Sequence, residues 1–144
     1  MTDLYEKVLV DHAKRPRNFG PLEAATHTAE GDNPLCGDEL KLFLRAAADR
    51  IEAIAFEGAG CAVCIGSASM MTTVARGLAF ADLPPLMQRV RAIVRGEDDA
   101  SGLGDLAALS GVSRHPARVK CALLAWTALE AAIAGRTGAV STEL

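Results

Sequence analysis

Apolar residues recur every three or four positions in three segments of the chain, which is the spacing of an amphipathic helix. The first predicted helix covers residues 3–14, the second begins at Asp82, and the last covers residues 114–135. A further helix is predicted for residues 61–76, which are rich in Ala, Met and Val and contain no proline. Four helices are therefore expected.

Alternation of apolar and polar residues predicts strands between the first two helical segments. Residues 40–45 and 51–56 both alternate in this way, and the short turn between them favours an antiparallel pair. Residues 25–31 are predicted to form a third, shorter strand.

The predicted fold class is α+β, a small antiparallel sheet of about three strands covered by helices, with a long C-terminal helix. The acidic, glycine-rich residues 96–111 are predicted to be a mobile connection with one helical turn at 105–109.

Composition and charge exclude several classes of protein. The 144 residues fit a single domain, 1–144, and a chain of this length buries about two thirds of its unfolded surface without needing disulfides. The formal net charge of −3 argues against nucleic acid or an anionic membrane surface as a partner. No apolar run approaches the roughly 20 residues that span a bilayer, so no membrane partner is expected. The expected location is the cytoplasm, where cysteines stay reduced.

The candidate chemistry lies with four cysteines: Cys36, Cys61, Cys64 and Cys121. Cys36 and Asp38 are separated only by Gly37 in the turn N-P-L-C-G-D, so a thiolate and a carboxylate can face one cation. Zinc accepts such a mixed set of ligands. Alternatively, Asp38 forms a local turn or a helix cap.

Cys61 follows Gly58-Ala59-Gly60 at the predicted start of a helix, where the helix dipole stabilises a thiolate. Cys64 lies one turn further along the same face. The C-A-V-C pair has two interpretations, either a redox pair or the source of a fourth zinc ligand in place of Asp38. The three histidines are scattered along the chain, and none is assigned as a ligand.

Cys121 falls outside the apolar stripe of the last helix, which runs through Val119 and Trp126. It lies about 200° round the helix from Val119. It shares a face with Arg118, whose charge favours a thiolate. The alternative is that Cys121 belongs to a second buried face of the helix.

Four segments resemble the SufU/IscU/NifU-N family of iron–sulfur assembly proteins. They are D-H-A-K-R-P-R-N-F-G (11–20), N-P-L-C-G-D (33–38), G-A-G-C-A-V-C-I-G-S-A-S-M-M (58–71) and R-V-K-C-A-L-L-A-W (118–126). They follow one another in this order along nearly the whole chain. The resemblance implies the SufE/NifU-like (IscU-like) fold.

Two features resemble the SufU-type zinc-dependent sulfur acceptor more than the scaffold branch of that family. Lys120 stands where the scaffold branch has a histidine before its last cysteine. The separation of 60 residues between Cys61 and Cys121 is also longer than in the scaffold branch.

The resemblance implies a set of site residues, a metal and a partner. The implied Zn²⁺ ligands are Cys36, Asp38, Cys61 and Cys121, with Cys64 as the alternative fourth ligand. Cys36 is the implied sulfur acceptor, and Arg118 is the basic residue that flanks the site. In the implied mechanism, a side chain of a SufS-type cysteine desulfurase replaces Cys36 on zinc, and the freed sulfur attacks the persulfide of that enzyme. Downstream iron–sulfur assembly proteins then receive the sulfur.

Three other functions stay open at this point. The first is a scaffold that uses the same ligands to assemble and transfer a [2Fe–2S] cluster. The second is a thiol–disulfide oxidoreductase that works through Cys61 and Cys64. The third is a domain in which zinc is purely structural.

Overall fold

A computed structural model describes residues 2–34, 36–135 and 139–141, with side chains described for 6–34 and 36–135. Its helices are α1 (Thr2–Lys14), α2 (Ala62–Ala75), α3 (Leu83–Val94) and α4 (Pro116–Ile133). Its strands are β1 (His27–Asn33), β2 (Asp38–Ala47), β3 (Arg50–Ala59) and β4 (Ala139–Ser141). Two 3-10 helices, Phe80–Asp82 and Gly104–Arg114, precede α3 and α4.

The described strands form one sheet in the order β3-β2-β1-β4. β1 and β3 both pair antiparallel with β2, whereas the short β4 pairs parallel with β1. The predicted α+β class and the predicted antiparallel pair are confirmed. The sequence pattern did not predict β4, because a strand of three residues is too short to display a periodicity.

Strand β2 determines which side chains face the helices. Leu40, Leu42 and Leu44 are buried, whereas Glu39 and Lys41, on the opposite face, are exposed. Phe43, also on the opposite face, is buried. Asp38 lies on the same face as Leu40, since alternate residues of a strand share a face. Its carboxylate consequently lies in the interior, and Asp38 is only 1% exposed.

Helix α2 packs between α1 and α4 and is held to both by close contacts. A side chain at Gly66 would meet Leu9 of α1 at 2.6 Å, so the small residue permits the close approach of the two helices. On the other side, the Ser67 hydroxyl donates to the Ala122 carbonyl at 2.7 Å and accepts from the Trp126 indole at 3.1 Å. These bonds fix the position of α2 relative to α4, and both helices carry candidate site cysteines.

Of the two interpretations of Cys121, the structure supports the alternative, in which this residue belongs to a second buried face of the last helix. Cys121 and Ala122 are fully buried, whereas Val119 and Leu123 of the predicted stripe are only partly buried. α4 packs against α2, the sheet and the 3-10 helix Gly104–Arg114, so most of its circumference is covered. Alanines fill the closely packed sides of α4. A search for regularly spaced large apolar residues does not detect these sides, because alanine is small.

The prediction of a mobile connection with one helical turn at residues 96–111 is wrong in part. The single turn predicted at residues 105–109 is a longer 3-10 helix, Gly104–Arg114. Leu106, Leu109 and Val112 are buried against the core, and this burial stabilises the segment despite its glycines.

The buried His12 ties α1 to two other elements. Its Nδ1 lies 2.7 Å from the Ser69 hydroxyl of α2, and its Nε2 lies 3.0 Å from the Asp105 carboxylate of the 3-10 helix. The Ser69 hydroxyl also accepts from the backbone N–H of Arg17 at 2.9 Å. The segment D-H-A-K-R-P-R-N-F-G therefore serves to dock α1 and the following loop onto α2.

In the described part of the chain, no helix combines the length and the apolar character needed to cross a membrane.

Candidate metal centre

Three candidate ligands meet where the β1–β2 turn approaches α4. Cys36 lies in that turn, Asp38 is the first residue of β2, and Cys121 lies in the second turn of α4. One ligand atom from each lies within 4.8 Å of the other two. Gly37 has φ +72°, a conformation that glycine adopts without strain, and this lets the chain turn sharply between Cys36 and Asp38.

The carboxylate of Asp38 is held by the start of α2. Its Oδ1 accepts a hydrogen bond from the backbone N–H of Cys61 at 2.9 Å. Cys61 is the N-cap residue of α2, and an anion is favoured at a helix N-terminus. A Cβ at Gly60 would lie 2.6 Å from this oxygen, so the glycine leaves the space that the carboxylate occupies.

Cys61 lies beside the group of three, at the N-cap of α2. Its side chain is half-buried and interacts with both Cys121 and the Arg118 guanidinium. Cys61 and Cys64 are both outside the set of atoms that lie within 4.8 Å of one another.

Cys64 lies one helical turn further into the core. It is fully buried, and this burial, followed by the nearby charge of Asp38, raises the pKa of its thiol well above the usual range. All four cysteines are free of disulfides.

Cys121 is fully buried, and burial is the main reason why the pKa of its thiol is raised. Its Sγ lies 3.6 Å from the Ala117 carbonyl oxygen. Arg118 is exposed at the rim of the site, where its interactions with Cys61 and then with Cys121 raise the pKa of its guanidinium. The rim of the site is thus cationic, and its interior carries the acidic groups.

The sequence analysis missed Asn33, the last residue of β1. Asn33 is fully buried, and its Nδ2 lies 3.4 Å from Asp38 Oδ2 and 3.4 Å from Cys121 Sγ. Asn33 and Asp38 are also partners in the β1–β2 register. The available signal was its place as the first residue of N-P-L-C-G-D, in the same turn as two candidate ligands.

The chemistry of the donor set fits a borderline-soft metal ion. Thiolates favour zinc or iron–sulfur clusters over Mg²⁺ or Ca²⁺, which prefer oxygen ligands. Ligand atoms bound at about 2.0–2.3 Å in a tetrahedron lie roughly 3.3–3.8 Å apart. That spacing is compatible with three atoms that all lie within 4.8 Å of one another. Cys61 lies beside these atoms and interacts with Cys121.

Together the fold and the site define a small α+β protein with a candidate metal centre made mainly of thiols. Residues 4–139 match the NifU-like N terminal domain, and the chain belongs to that family. The family resemblance drawn from the sequence motifs is confirmed.

Individual relatives span nearly the whole chain. The chain is 40% identical over 137 residues to the zinc-dependent sulfurtransferase SufU of Bacillus subtilis, a match that covers 94% of this chain and 92% of the relative. It is 37% identical over 135 residues to the iron–sulfur cluster assembly scaffold protein IscU of Streptococcus pyogenes, covering 92% and 84%.

A solved structure is similar to most of this chain. It comes from Fervidobacterium islandicum AW-1 and is described as a candidate iron–sulfur cluster assembly scaffold protein for the SUF system. It matches with a TM-score of 0.82 and 33% sequence identity, and the match covers 88% of this chain and 94% of that one.

Proposed function

We propose that this protein takes part in iron–sulfur cluster assembly by accepting sulfur from a cysteine desulfurase at a zinc centre. The observation that carries the proposal is the convergence of Cys36, Asp38 and Cys121, whose ligand atoms lie within 4.8 Å of one another. The similarity to the SufU of Bacillus subtilis, named a zinc-dependent sulfurtransferase, supports zinc as the metal.

The proposed ligands are Cys36, Asp38, Cys61 and Cys121. Cys36, Asp38 and Cys121 form the convergent group, and Cys61 lies beside it and interacts with Cys121. Bound zinc would supply positive charge that keeps thiols deprotonated at neutral pH. Buried thiols gain most from this charge, because burial alone disfavours the thiolate.

Cys36 is the proposed sulfur acceptor. Its side chain is only half-buried and lies in a turn next to Gly37, whereas Cys121 is fully buried on a helix. An incoming persulfide can therefore reach Cys36 without unfolding a regular element. Cys61 is also half-buried, but it is the N-cap of α2 and its backbone N–H is bonded to Asp38.

In the proposed transfer, the Cys36 thiolate attacks the outer sulfur of the persulfide on the desulfurase. A new S–S bond forms to Cys36 Sγ, and the S–S bond on the desulfurase breaks. The electron pair of the broken bond stays on the desulfurase cysteine, which leaves as a thiolate. The sulfur keeps its oxidation state, so no external oxidant or reductant is required.

Arg118 is the proposed basic residue at the entrance to the site. Its guanidinium is exposed and lies beside the thiols of Cys61 and Cys121. A positive charge at this position attracts an anionic persulfide and favours the thiolate form of its neighbours. The proposed desulfurase is of the SufS type, the proposed sulfur recipients are downstream iron–sulfur assembly proteins, and the proposed location is the cytoplasm.

A scaffold for a [2Fe–2S] cluster is the second candidate function. It is favoured by the similarity to the scaffold protein IscU of Streptococcus pyogenes. Cysteine thiols such as those of Cys36 and Cys121, with Cys61 beside them, can also hold cluster iron. Lys120 stands at the position where the scaffold branch of the resembled family has a histidine. This difference favours the sulfur acceptor instead.

Metal content and sulfur loading on the same preparation test the proposal. The expected result is about one zinc per chain, stimulation of a SufS-type desulfurase, and a mass increase of one sulfur atom on Cys36. The Cys36→Ser variant is expected to stay folded and to lose the stimulation. Full stimulation by that variant would contradict the role of Cys36.

Anaerobic reconstitution with iron and sulfide separates the two candidates. A sulfur acceptor is expected to retain zinc and to develop no stable visible chromophore. A chromophore that passes to an apo-acceptor would instead support the scaffold.

A further inference from the structure

We infer that Asn33 is a positioning residue of the metal centre, whose side-chain amide orients Asp38 and Cys121 for a shared metal ion. This inference rests on the proposed function, because it takes both of those residues as ligands. It assigns to Asn33 a role that does not require the residue to touch the metal or the transferred sulfur.

The amide of Asn33 reaches two groups that are far apart in the chain. Its Nδ2 lies 3.4 Å from Asp38 Oδ2 and 3.4 Å from Cys121 Sγ. An amide NH₂ has two hydrogens, so one nitrogen can donate to both groups at the same time. Cys121 and Asn33 are 88 positions apart, and this amide connects the end of β1 directly to α4.

The chemistry of the two neighbours fixes the orientation of the amide. With a metal bound, Asp38 and Cys121 would be an ionised carboxylate and a thiolate, which both accept hydrogen bonds and cannot donate to a carbonyl oxygen. Reversing the amide would place its oxygen against these two acceptors. The NH₂ group therefore faces the ligands, and Oδ1 points the other way.

The orientation leaves Oδ1 of Asn33 buried with no hydrogen-bond partner among the described residues. A buried acceptor without a partner costs about 1–3 kcal/mol. Asn33 also shares a strand face with the buried Ala29 and Gly31, a face on which the fold alone favours apolar side chains. An asparagine at this position is thus unfavourable for stability, and its contacts with two ligands supply the reason for it.

Residues that hydrogen-bond to metal ligands fix the orientation of those ligands and adjust their basicity, and their loss typically lowers metal affinity about 10–100-fold. At Asp38, each carboxylate oxygen has more than one acceptor direction. Oδ1 can bind the Cys61 N–H, Oδ2 can bind Asn33, and the carboxylate can still coordinate a metal. At Cys121, an N–H donor compensates part of the cost of a buried thiolate.

The test uses the variants Asn33→Leu and Asn33→Ala in the full chain. Asn33→Leu keeps the side-chain volume but removes the donor and the unpartnered oxygen. We expect zinc affinity, measured by chelator competition, to fall about 10–100-fold in both variants. We expect the metal-free Asn33→Leu chain to melt at the same temperature as the metal-free original, or higher, because an apolar side chain suits this buried position.

Asn18→Ala is the matched control. Asn18 donates to the Thr72 hydroxyl at 3.0 Å, away from the site, and has φ 58°, so its replacement lowers stability through backbone strain. The control is expected to lower the melting temperature while leaving zinc affinity and the absorption bands of bound Co²⁺ unchanged. In the Asn33 variants the Co²⁺–thiolate bands should shift, since the sulfur of Cys121 loses a hydrogen bond.

A double-variant cycle identifies the route of the effect. If Asn33 acts partly through Asp38, its replacement should cost less zinc affinity in a Gly60→Ala background, where the added Cβ displaces the Asp38 carboxylate, than in the original chain. Zinc affinity and Co²⁺ bands that stay unchanged in both Asn33 variants would overturn the inference and leave the proposed function intact. Tight metal binding without sulfur transfer in the original chain would overturn the sulfur-acceptor function alone, and an original chain that binds neither zinc nor Co²⁺ would overturn both.

Discussion

The carboxylate of Asp38, at the start of β2, accepts a hydrogen bond from the backbone N–H of Cys61, at the start of α2, with a distance of 2.9 Å. One candidate ligand thus anchors the segment that carries another. It follows that a change at Asp38 affects both the donor set and the position of Cys61.

Replacing Asp38 by alanine is expected to remove the metal. The variant loses one candidate ligand and the tie to Cys61, so zinc content should fall to a small fraction of that in the original chain. Glu39→Ala is the matched control, because Glu39 is the next residue of β2 but is exposed on the opposite face. Elemental analysis after gel filtration measures both variants, and equal zinc in the two would exclude Asp38 as a ligand.

Replacing Cys64 by alanine tests the alternative fourth ligand. Cys64 is fully buried, outside the convergent group, and its pKa is raised by burial. The variant is expected to keep its zinc and to lose about 1 kcal/mol of unfolding free energy, because a buried sulfur atom is removed. Denaturant unfolding and metal analysis give the two readouts. Loss of zinc with an intact fold would instead assign Cys64 as a ligand.

Replacing Gly60 by alanine should displace the carboxylate of Asp38. The added Cβ would lie 2.6 Å from Oδ1, which is too close for an undisturbed contact. We expect zinc affinity to fall about 10–100-fold, the range for a disturbed ligand orientation. Gly111→Ala serves as control, since a Cβ there meets nothing within 4 Å. An affinity equal to that of the control would show that the carboxylate has room to move without cost.

Removing the metal is expected to lower the free energy of unfolding and the melting temperature. An ion that binds only the folded chain adds about 2.7 kcal/mol when its free concentration is 100 times the Kd. Thermal melts with and without a chelator should differ by roughly 5–11 °C. Identical melting curves for zinc-loaded and zinc-free protein would mean that binding is not coupled to folding.

The ion pair between Arg89 and Asp98 predicts a pH dependence of stability. Nε and Nη2 of Arg89 each donate to the Asp98 carboxylate at 3.0 Å, and this contact lowers the pKa of Asp98. A pKa that is lower in the folded chain stabilises the fold above the unfolded pKa of about 3.9. That stability is lost as the pH falls through the lower, folded pKa.

Asp98→Asn should therefore lower the melting temperature at pH 7, and the difference from the original chain should shrink below about pH 4. Asp99→Asn, next to it on an exposed position, is the control and should have a smaller effect. A difference that stays constant from pH 7 to pH 2 would contradict a charge-dependent contribution.

The sequence predicted the elements well wherever the pattern was local. The alternation in residues 40–45 and 51–56 predicted β2 and β3, and the composition of residues 61–76 predicted α2. The pattern left two interpretations of Cys121 open, because the small alanines on the other buried sides of α4 do not mark those sides as apolar stripes. It failed at Gly104–Arg114 because burial of a few apolar residues outweighs the glycine content of that segment.

By itself, the sequence determined the α+β class, the family, and the residues that carry the candidate chemistry, because periodicity and motif order are properties of the chain alone. Only the tertiary structure decided which of these residues lie close together. Cys36 and Cys121 are brought together by the packing of α4 against the sheet and α2, and no local pattern encodes that contact. The same holds for Asn33, whose role follows from the two acceptors that surround its amide and not from its place in the turn.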